Sequence, residues 1–173
     1  MKSRGSRSYE DFRDSLRLSM KLTAMVRPML EDCKRDWERH VSNNFATEGG
    51  EVGGWKPLDE KTRITREALG YGPRPILDMR GILKKSWSVS FDTIGDNQTI
   101  KLEFAHEKNW SGGDLAKQHH YGGKGFNPLT RKSFGTPRRR LFDESVLSNI
   151  FKNRVVHPFN RAFANLLKEM GGR

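Results

Sequence analysis

The chain has 173 residues and a net charge of +11, and only 34% of it is hydrophobic, which predicts one domain with a small core and a wide polar surface. No run approaches the roughly 18 apolar residues of a membrane-spanning helix, and we expect a soluble protein made in the cytoplasm. Cys33 is the only cysteine, which excludes an intramolecular disulfide and indicates a buried small side chain.

Apolar residues recur every three or four positions over 8–46, the spacing of one helical face. We expect Ser8 to cap a helix and Pro28 to interrupt the pattern, giving two helices or one kinked helix. The stripe is interpreted as core-facing, with a partner-binding surface as the alternative. It consists of Tyr9, Phe12, Leu16, Met20, Thr23, Met29, Cys33, Trp37, Val41 and Phe45.

Four glycines between Glu48 and Gly54 predict a mobile loop without a packed element. A short helix is expected to follow, capped by Asp59 and ended by Gly70 and the glycines and prolines after it.

Alternating polar and apolar residues in 86–91 and in 100–104 predict a β-hairpin with a turn at 95–97. Trp87, Val89 and Phe91 are expected to face inward. From 108 to 136 we expect a long excursion from the core, with a short strand or helix at 115–121.

The last apolar pattern predicts a helix over 143–170, capped by Asp143 and kinked or divided at Pro158. The predicted fold class is therefore α+β. N-terminal helices (8–46) and the C-terminal helix would pack on a small, mainly antiparallel sheet, with a hairpin and long basic loops in 47–142. The prediction treats 1–173 as a single domain.

The stretch from Leu115 to Phe142 holds seven basic residues and no acidic one. Such a segment favours an acidic partner, either nucleic acid or an acidic protein face, over a merely solvated surface. The residues expected to face DNA or a protein partner are Lys117, Lys124, Arg131, Lys132, Arg138, Arg139 and Arg140.

No phosphate-binding loop, dinucleotide fingerprint or common hydrolase motif occurs in the sequence. His106, His119 and His120 with Glu103 and Asp114 imitate a metal site. Adjacent histidines in a strand would point to opposite faces, and we expect no metal, no cofactor and no enzymatic activity. His119 is interpreted as a hydrogen-bonded structural residue.

Four local patterns occur in a fixed order between Phe45 and Asp143. They are Trp55-Lys56-Pro57-Leu58 followed by Thr62; Ile76-Leu77 with Gly81, Leu83 and Ser86; Ala116, His119, Tyr121 and Gly122; and Pro137 with Arg139 ahead of Leu141-Phe142. In this order the chain resembles the phage virion morphogenesis family, which contains tail-completion or neck proteins of Mu-like phages. The glycine loop at 48–54 and the long C-terminal helical region depart from the usual pattern of that family.

The resemblance implies a non-enzymatic structural protein of the virion neck, at the head-proximal end of the tail, which makes the tail competent for head-tail joining. It would be assembled in the host cytoplasm without a cofactor or a membrane. A closed ring, taken as a hexamer, follows from that position, because cyclic assemblies repeat one heterologous contact. The implied partners are connector and tail-tube proteins, with non-specific contact to genomic DNA in the channel.

The motif residues are expected to have structural roles. Trp55 would be a buried anchor, and Arg139 is also a candidate for an internal hydrogen bond or ion pair that fixes its turn. A nucleic-acid-binding or metal-dependent DNA-processing protein is the alternative function. The structural motif residues are Trp55, Pro57, Leu58, Gly81, Leu83, His119, Tyr121, Gly122 and Pro137.

Overall fold

The computed structural model describes residues 4–72, 75–77, 82–94, 97–105, 114–127 and 132–171. Helices and antiparallel strands are both present, which confirms the predicted α+β class. The chain folds into two compact units, Met1–Arg35 with Ser148–Arg173 (unit 1) and Asp36–Leu147 (unit 2). The assignment of 1–173 to a single domain stays a prediction.

Two pairs of strands, separated by one short helix, follow three helices and precede two more. The helices are α1 (Arg4–Ala46), α2 (Glu60–Ala68), α3 (Ile82–Lys85), α4 (Leu115–Tyr121), α5 (Glu144–Phe151) and α6 (His157–Gly171). The strands are β1 (Trp87–Ile94), β2 (Asn97–Phe104), β3 (Gly123–Asn127) and β4 (Lys132–Thr136). In the described part of the chain these strands form two separate two-stranded sheets rather than the one small sheet expected.

Helix α1 is one helix of 43 residues with Pro28 inside it. Ser8 as its cap is wrong, because the helix already begins at Arg4. Proline removes one backbone donor from a helix interior. Packing nearby compensates for this loss, since Leu30 and Cys33 in the following turn are buried.

The predicted apolar stripe of α1 divides into an exposed part and a buried part. In unit 1, Leu30, Cys33 and Val155 are buried, which confirms the expectation for Cys33. The core-facing interpretation is wrong for the first half of the stripe, where the large side chains stand in solvent. These exposed side chains are Tyr9, Phe12, Leu16 and Met20.

The last three residues of the stripe, Trp37, Val41 and Phe45, lie in unit 2, and Val41 and Phe45 belong to its hydrophobic core, as expected. Partly buried residues of β1 and β2, including Trp87 and Phe104, pack against this core. The core residues are Val41, Phe45, Trp55, Leu77, Leu83, Ala116 and Leu141.

Strands β1 and β2 form the predicted hairpin, in a register that pairs Trp87 with Phe104 and Ile94 with Asn97. Val89 is buried and Trp87 is half-buried, but the inward position expected for Phe91 is wrong because this side chain is exposed. Residues 95 and 96 of the predicted turn lie outside the described residues.

The basic stretch is more ordered than a long excursion from the core. Residues 115–121 form α4, whose Ala116 belongs to the core, and β3 pairs with β4 in a second hairpin. Loop-rich composition concealed these strands, because β3 and β4 contain three glycines and alternate weakly. Residues 106–113 and 128–131 lie outside the described part of the chain.

The glycine-rich stretch folds into a closed turn, so the expectation that it holds no packed element is wrong. Residues Gly50–Val52 form a 3₁₀ turn, and the backbone N–H of Trp55 donates to the Glu48 carbonyl at 2.7 Å. Gly49 is buried with a φ of +84°, and a Cβ there would overlap the indole of Trp55. Glycine is therefore required at this position both by conformation and by space.

Both predicted helix caps after this turn are present. Asp59 accepts a hydrogen bond from the Thr62 N–H at 2.9 Å at the start of α2, and Asp143 accepts one from the Ser145 N–H at 2.8 Å before α5. A π-helical turn at Lys152–Val156 lies between α5 and α6, and the backbone stays helical on both sides of it, so the kink or division expected at Pro158 stays a prediction.

Candidate functional site

Residues 137–143, which we call the arginine segment, are hydrogen-bonded to α4 on one side. The N–H of Arg139 donates to the His119 carbonyl at 2.7 Å, and the N–H of Leu141 donates to His120 Nδ1 at 3.2 Å. Gly122 has a φ of +76°, which favours glycine, and a Cβ there would make a tight contact of 3.2 Å with the backbone nitrogen of Arg138. The end of α4 therefore fixes the path of this segment.

Buried side chains bind the other side of the arginine segment. The indole N–H of Trp55 donates to the Arg140 carbonyl at 2.7 Å, and the side-chain amide of Asn44 on α1 donates to the Leu141 carbonyl at 3.2 Å. Successive carbonyl groups are thus satisfied inside unit 2, where an unpaired carbonyl would be costly.

His40 on α1 completes these contacts. Its Nε2 accepts a hydrogen bond from the Asp143 N–H at 3.2 Å, and its Nδ1 therefore carries the proton and donates to Glu51. Asn43 donates to the other oxygen of Glu51 at 3.0 Å. Because both ring nitrogens of this buried histidine are used within the fold, the arrangement is a structural clamp rather than a general base.

Arg139 points into unit 2, while Arg138 and Arg140 are exposed. The Nε–H of Arg139 donates to the Lys56 carbonyl at 3.2 Å, which confirms the internal hydrogen bond expected for this residue. The prediction that Arg139 also faces a partner is wrong, because its side chain is buried.

The other predicted partner-facing cations are placed only in part. Lys117 on α4 and Lys124 on β3 are exposed. The side chain of Lys132 on β4, like the whole of Arg131, lies outside the described residues. Within 115–142, four cations are described and exposed, and we call them the basic set: Lys117, Lys124, Arg138 and Arg140.

His119 and His120 lie on helix α4 rather than on a strand, so the expectation that they point to opposite faces of a strand does not apply. Burial lowers the pKa of His119 to about 4, and the nearby Arg139 adds to this effect. Its Nδ1 is buried without a hydrogen-bond partner among the described residues, so the interpretation of His119 as hydrogen-bonded rests on its backbone carbonyl alone.

His120 is buried and stacks on Phe142, with 4.4 Å between the ring centroids. Burial lowers its pKa, and Arg138 and Arg140 act in the same direction against Glu144 and Asp143. The unprotonated Nδ1 that accepts the Leu141 N–H is consistent with this direction. His120, which sequence reasoning treated only as a metal candidate, is therefore a structural residue.

The residues of the four sequence patterns differ in how deeply they are buried in unit 2. Trp55 is buried, as predicted, and its ring meets Phe45 edge to face at 5.6 Å between centroids. Leu83 is buried in the core, Leu58 and Pro137 are half-buried, and Gly81 lies outside the described residues. Two further motif residues, Pro57 and Tyr121, are exposed.

A groove of about 580 Å³ lies in unit 2 beside the arginine segment. Phe104 and Phe142 stack with 6.2 Å between centroids and, with His120, form its aromatic wall. Glu103, Asp114 and Lys117 are charged residues of its lining, so the groove has no single charge sign.

Sequence reasoning missed the polar residues His40 and Asn44. They lie four residues apart on α1, next to Val41 and Phe45 of the stripe. Polar side chains at helical spacing beside a core-facing stripe were the available signal, since they are well placed to bind the backbone of a segment packed on the helix.

No family model, curated protein or solved structure matches the chain. Among the described residues, no three His, Cys, Asp or Glu side chains are grouped to hold a metal ion. Over the same residues, no helix is both long and apolar enough to cross a membrane.

Proposed function

We propose that this chain is a non-enzymatic structural protein of a phage virion, a tail-completion or neck protein that forms a ring at the head-tail junction. The proposal rests on the resemblance of its four ordered patterns to the virion morphogenesis family. One observation supports it most. Each of the four patterns contributes to the same core, through Trp55, Leu77 with Leu83, Ala116, and Leu141.

This convergence gives the patterns a common structural role. Trp55 and His119, from patterns far apart in sequence, bind the backbone of the arginine segment. The segment is thereby held with Arg138 and Arg140 outward. A scaffold that presents fixed side chains suits an assembly protein, and the histidine clamp at His40 leaves no ring nitrogen for proton transfer.

In the proposed ring, the basic set would contact genomic DNA in the channel or an acidic face of a connector or tail-tube protein. Phosphate contacts release counterions, and each is expected to contribute about −0.9 to the slope of log affinity against log salt. Replacing the whole basic set by glutamine should flatten that slope on random duplex DNA. Arg140 of the basic set is itself paired with Asp143 at 3.4 Å, so the control is Arg63→Gln, another exposed arginine that is paired, with Glu67 at 2.8 Å, but lies outside the basic stretch.

Negative-stain imaging of the purified full chain, combined with a mass measurement, tests the ring. A hexamer of the 19.9 kDa chain has a mass of six times that value, about 119 kDa. Closed rings of uniform size would support the proposal. Monomers at every concentration, with no ring in the images, would contradict it.

The alternative, a nucleic-acid-binding or metal-dependent DNA-processing protein, draws its support from the exposed cations of the basic set. Cleavage of duplex DNA that requires magnesium or zinc, and that is lost when His119 and His120 are both replaced, would favour it. Salt-sensitive DNA binding without rings or cleavage would favour a binding protein instead.

A further inference from the structure

The N-terminal half of α1 carries a row of large apolar side chains that unit 1 does not cover. Their exposed fractions are 68% for Tyr9, 60% for Phe12, 49% for Leu16 and 72% for Met20. The spacing of three, four and four residues places all four on one side of the helix. We call this set the outer row.

The outer row is a second apolar face of α1, because other residues form the inner one. At 100° per residue, Leu18, Leu22 and Met25 lie on the side opposite the outer row, and each is half-buried. A helix that is apolar on two opposite sides is typical of one that is covered on both.

We propose that the outer row is a self-association surface that packs against the outer row of a second copy of this chain, as an antiparallel helix pair about a two-fold axis. This contact goes beyond the proposed ring, because a ring repeats a heterologous contact and a two-fold contact is isologous.

The spacing of the outer row supports a like-with-like contact. When one helix is turned end for end about a point near Asp14, Phe12 lies opposite Leu16 of the second copy, and Tyr9 lies opposite Met20. Each aromatic residue then meets an aliphatic one, and both rows are covered at once.

Area and charge are compatible with this pairing. The four side chains expose on the order of 500 Å² of accessible surface per copy, so two copies can bury about 1,000 Å² through these residues alone. This area is close to the roughly 1,200 Å² of total buried surface at which stable interfaces begin, and flanking residues would add to it. Asp14 lies 3.8 Å from Arg13 and 3.9 Å from Arg17 within the same helix. The charges flanking the row therefore partly neutralise one another before a second copy arrives.

The first test is the mass of the purified chain in solution. Leu16→Glu keeps a good helix former but places a charge in the row, and it should halve the mass of the wild-type assembly, which leaves a single ring of about 119 kDa where the wild type forms paired rings. Ser15→Glu adds the same charge one residue away on another side of the helix and should leave that mass unchanged. An unchanged mass for Leu16→Glu, or a wild type that is monomeric throughout, would overturn the inference.

The second test distinguishes a like-with-like contact from a contact with another surface of the neighbouring copy. Because the native Cys33 is buried, Leu16→Cys provides the reactive thiol for a short bismaleimide cross-linker. A two-fold pair brings this position near its own copy, and covalent dimers are expected. If Leu16→Glu lowers the mass while Leu16→Cys gives no dimer, the two-fold contact is refuted. Rings that persist with an unchanged mass in Leu16→Glu would refute this contact and leave the proposed ring intact.

Discussion

Replacing Trp55 should destabilise unit 2 more than most single changes. Trp55→Ala removes a buried indole, and burial of roughly 180 Å² at about 25 cal/mol/Å² corresponds to about 4.5 kcal/mol as an upper estimate. The change also leaves the Arg140 carbonyl without the donor that lies 2.7 Å away. We therefore expect a loss of roughly 3–5 kcal/mol in the free energy of unfolding.

The assay is urea unfolding followed by tryptophan fluorescence. Trp37 and Trp87 also lie in unit 2, so they remain to report on the unfolding of that unit after the substitution. Trp55→Phe keeps most of the burial but lacks the N–H group, and it should cost about 1–3 kcal/mol through the unpaired carbonyl.

Gly49→Ala provides an independent check of the same packing. It should destabilise the wild type, because its Cβ would overlap the Trp55 indole and its φ is +84°. In the Trp55→Ala background the overlap disappears, and Gly49→Ala should cost less there. An unchanged urea midpoint for Trp55→Ala, or equal costs of Gly49→Ala in both backgrounds, would refute the reasoning.

The remaining predictions concern the arginine segment and α4. Arg139→Gln should lower the free energy of unfolding by about 1–3 kcal/mol, because it leaves buried groups unpaired. Arg138→Gln changes an exposed side chain and should alter the free energy of unfolding by less than about 0.5 kcal/mol. Equal effects of the two variants in urea unfolding would contradict the burial of Arg139 alone. Burial lowers the pKa of His119 from its usual value of 6.5 to about 4 in the fold, so the unfolded chain binds the proton more tightly. Stability should therefore fall by roughly 3 kcal/mol as the pH drops through this window, and His119→Gln should flatten that dependence; the same slope in both proteins would contradict the buried neutral histidine.

The elements that local chemistry determines were predictable from the sequence. Asp59 and Asp143 were identified as caps because a carboxylate ahead of an apolar pattern satisfies free N–H groups. The alternation around Val89 identified the first hairpin. The second hairpin was not predicted, because its pairing depends on contacts to α4, such as the 2.8 Å bond between Gln118 and Thr136, that leave no periodic signal.

The candidate site was predictable in part. Trp55 stood out as an anchor because a large aromatic residue beside a flexible turn has few other uses. Charge counting grouped Arg138, Arg139 and Arg140, but it gave no information about the direction of their side chains, and only the middle one is buried. The outer row of α1 was wrongly predicted to face the core for a related reason. Periodicity identifies an apolar face of a helix, but it does not show what covers that face.

The proposed function is tested most directly by a head-tail joining assay. Full heads, and tails assembled without this protein, are mixed with the purified chain, and infectious particles are counted. We expect the wild type to raise the titre, and glutamine substitution of the basic set to reduce this effect while the protein stays folded. A titre unaffected by the wild-type protein would refute the proposed function.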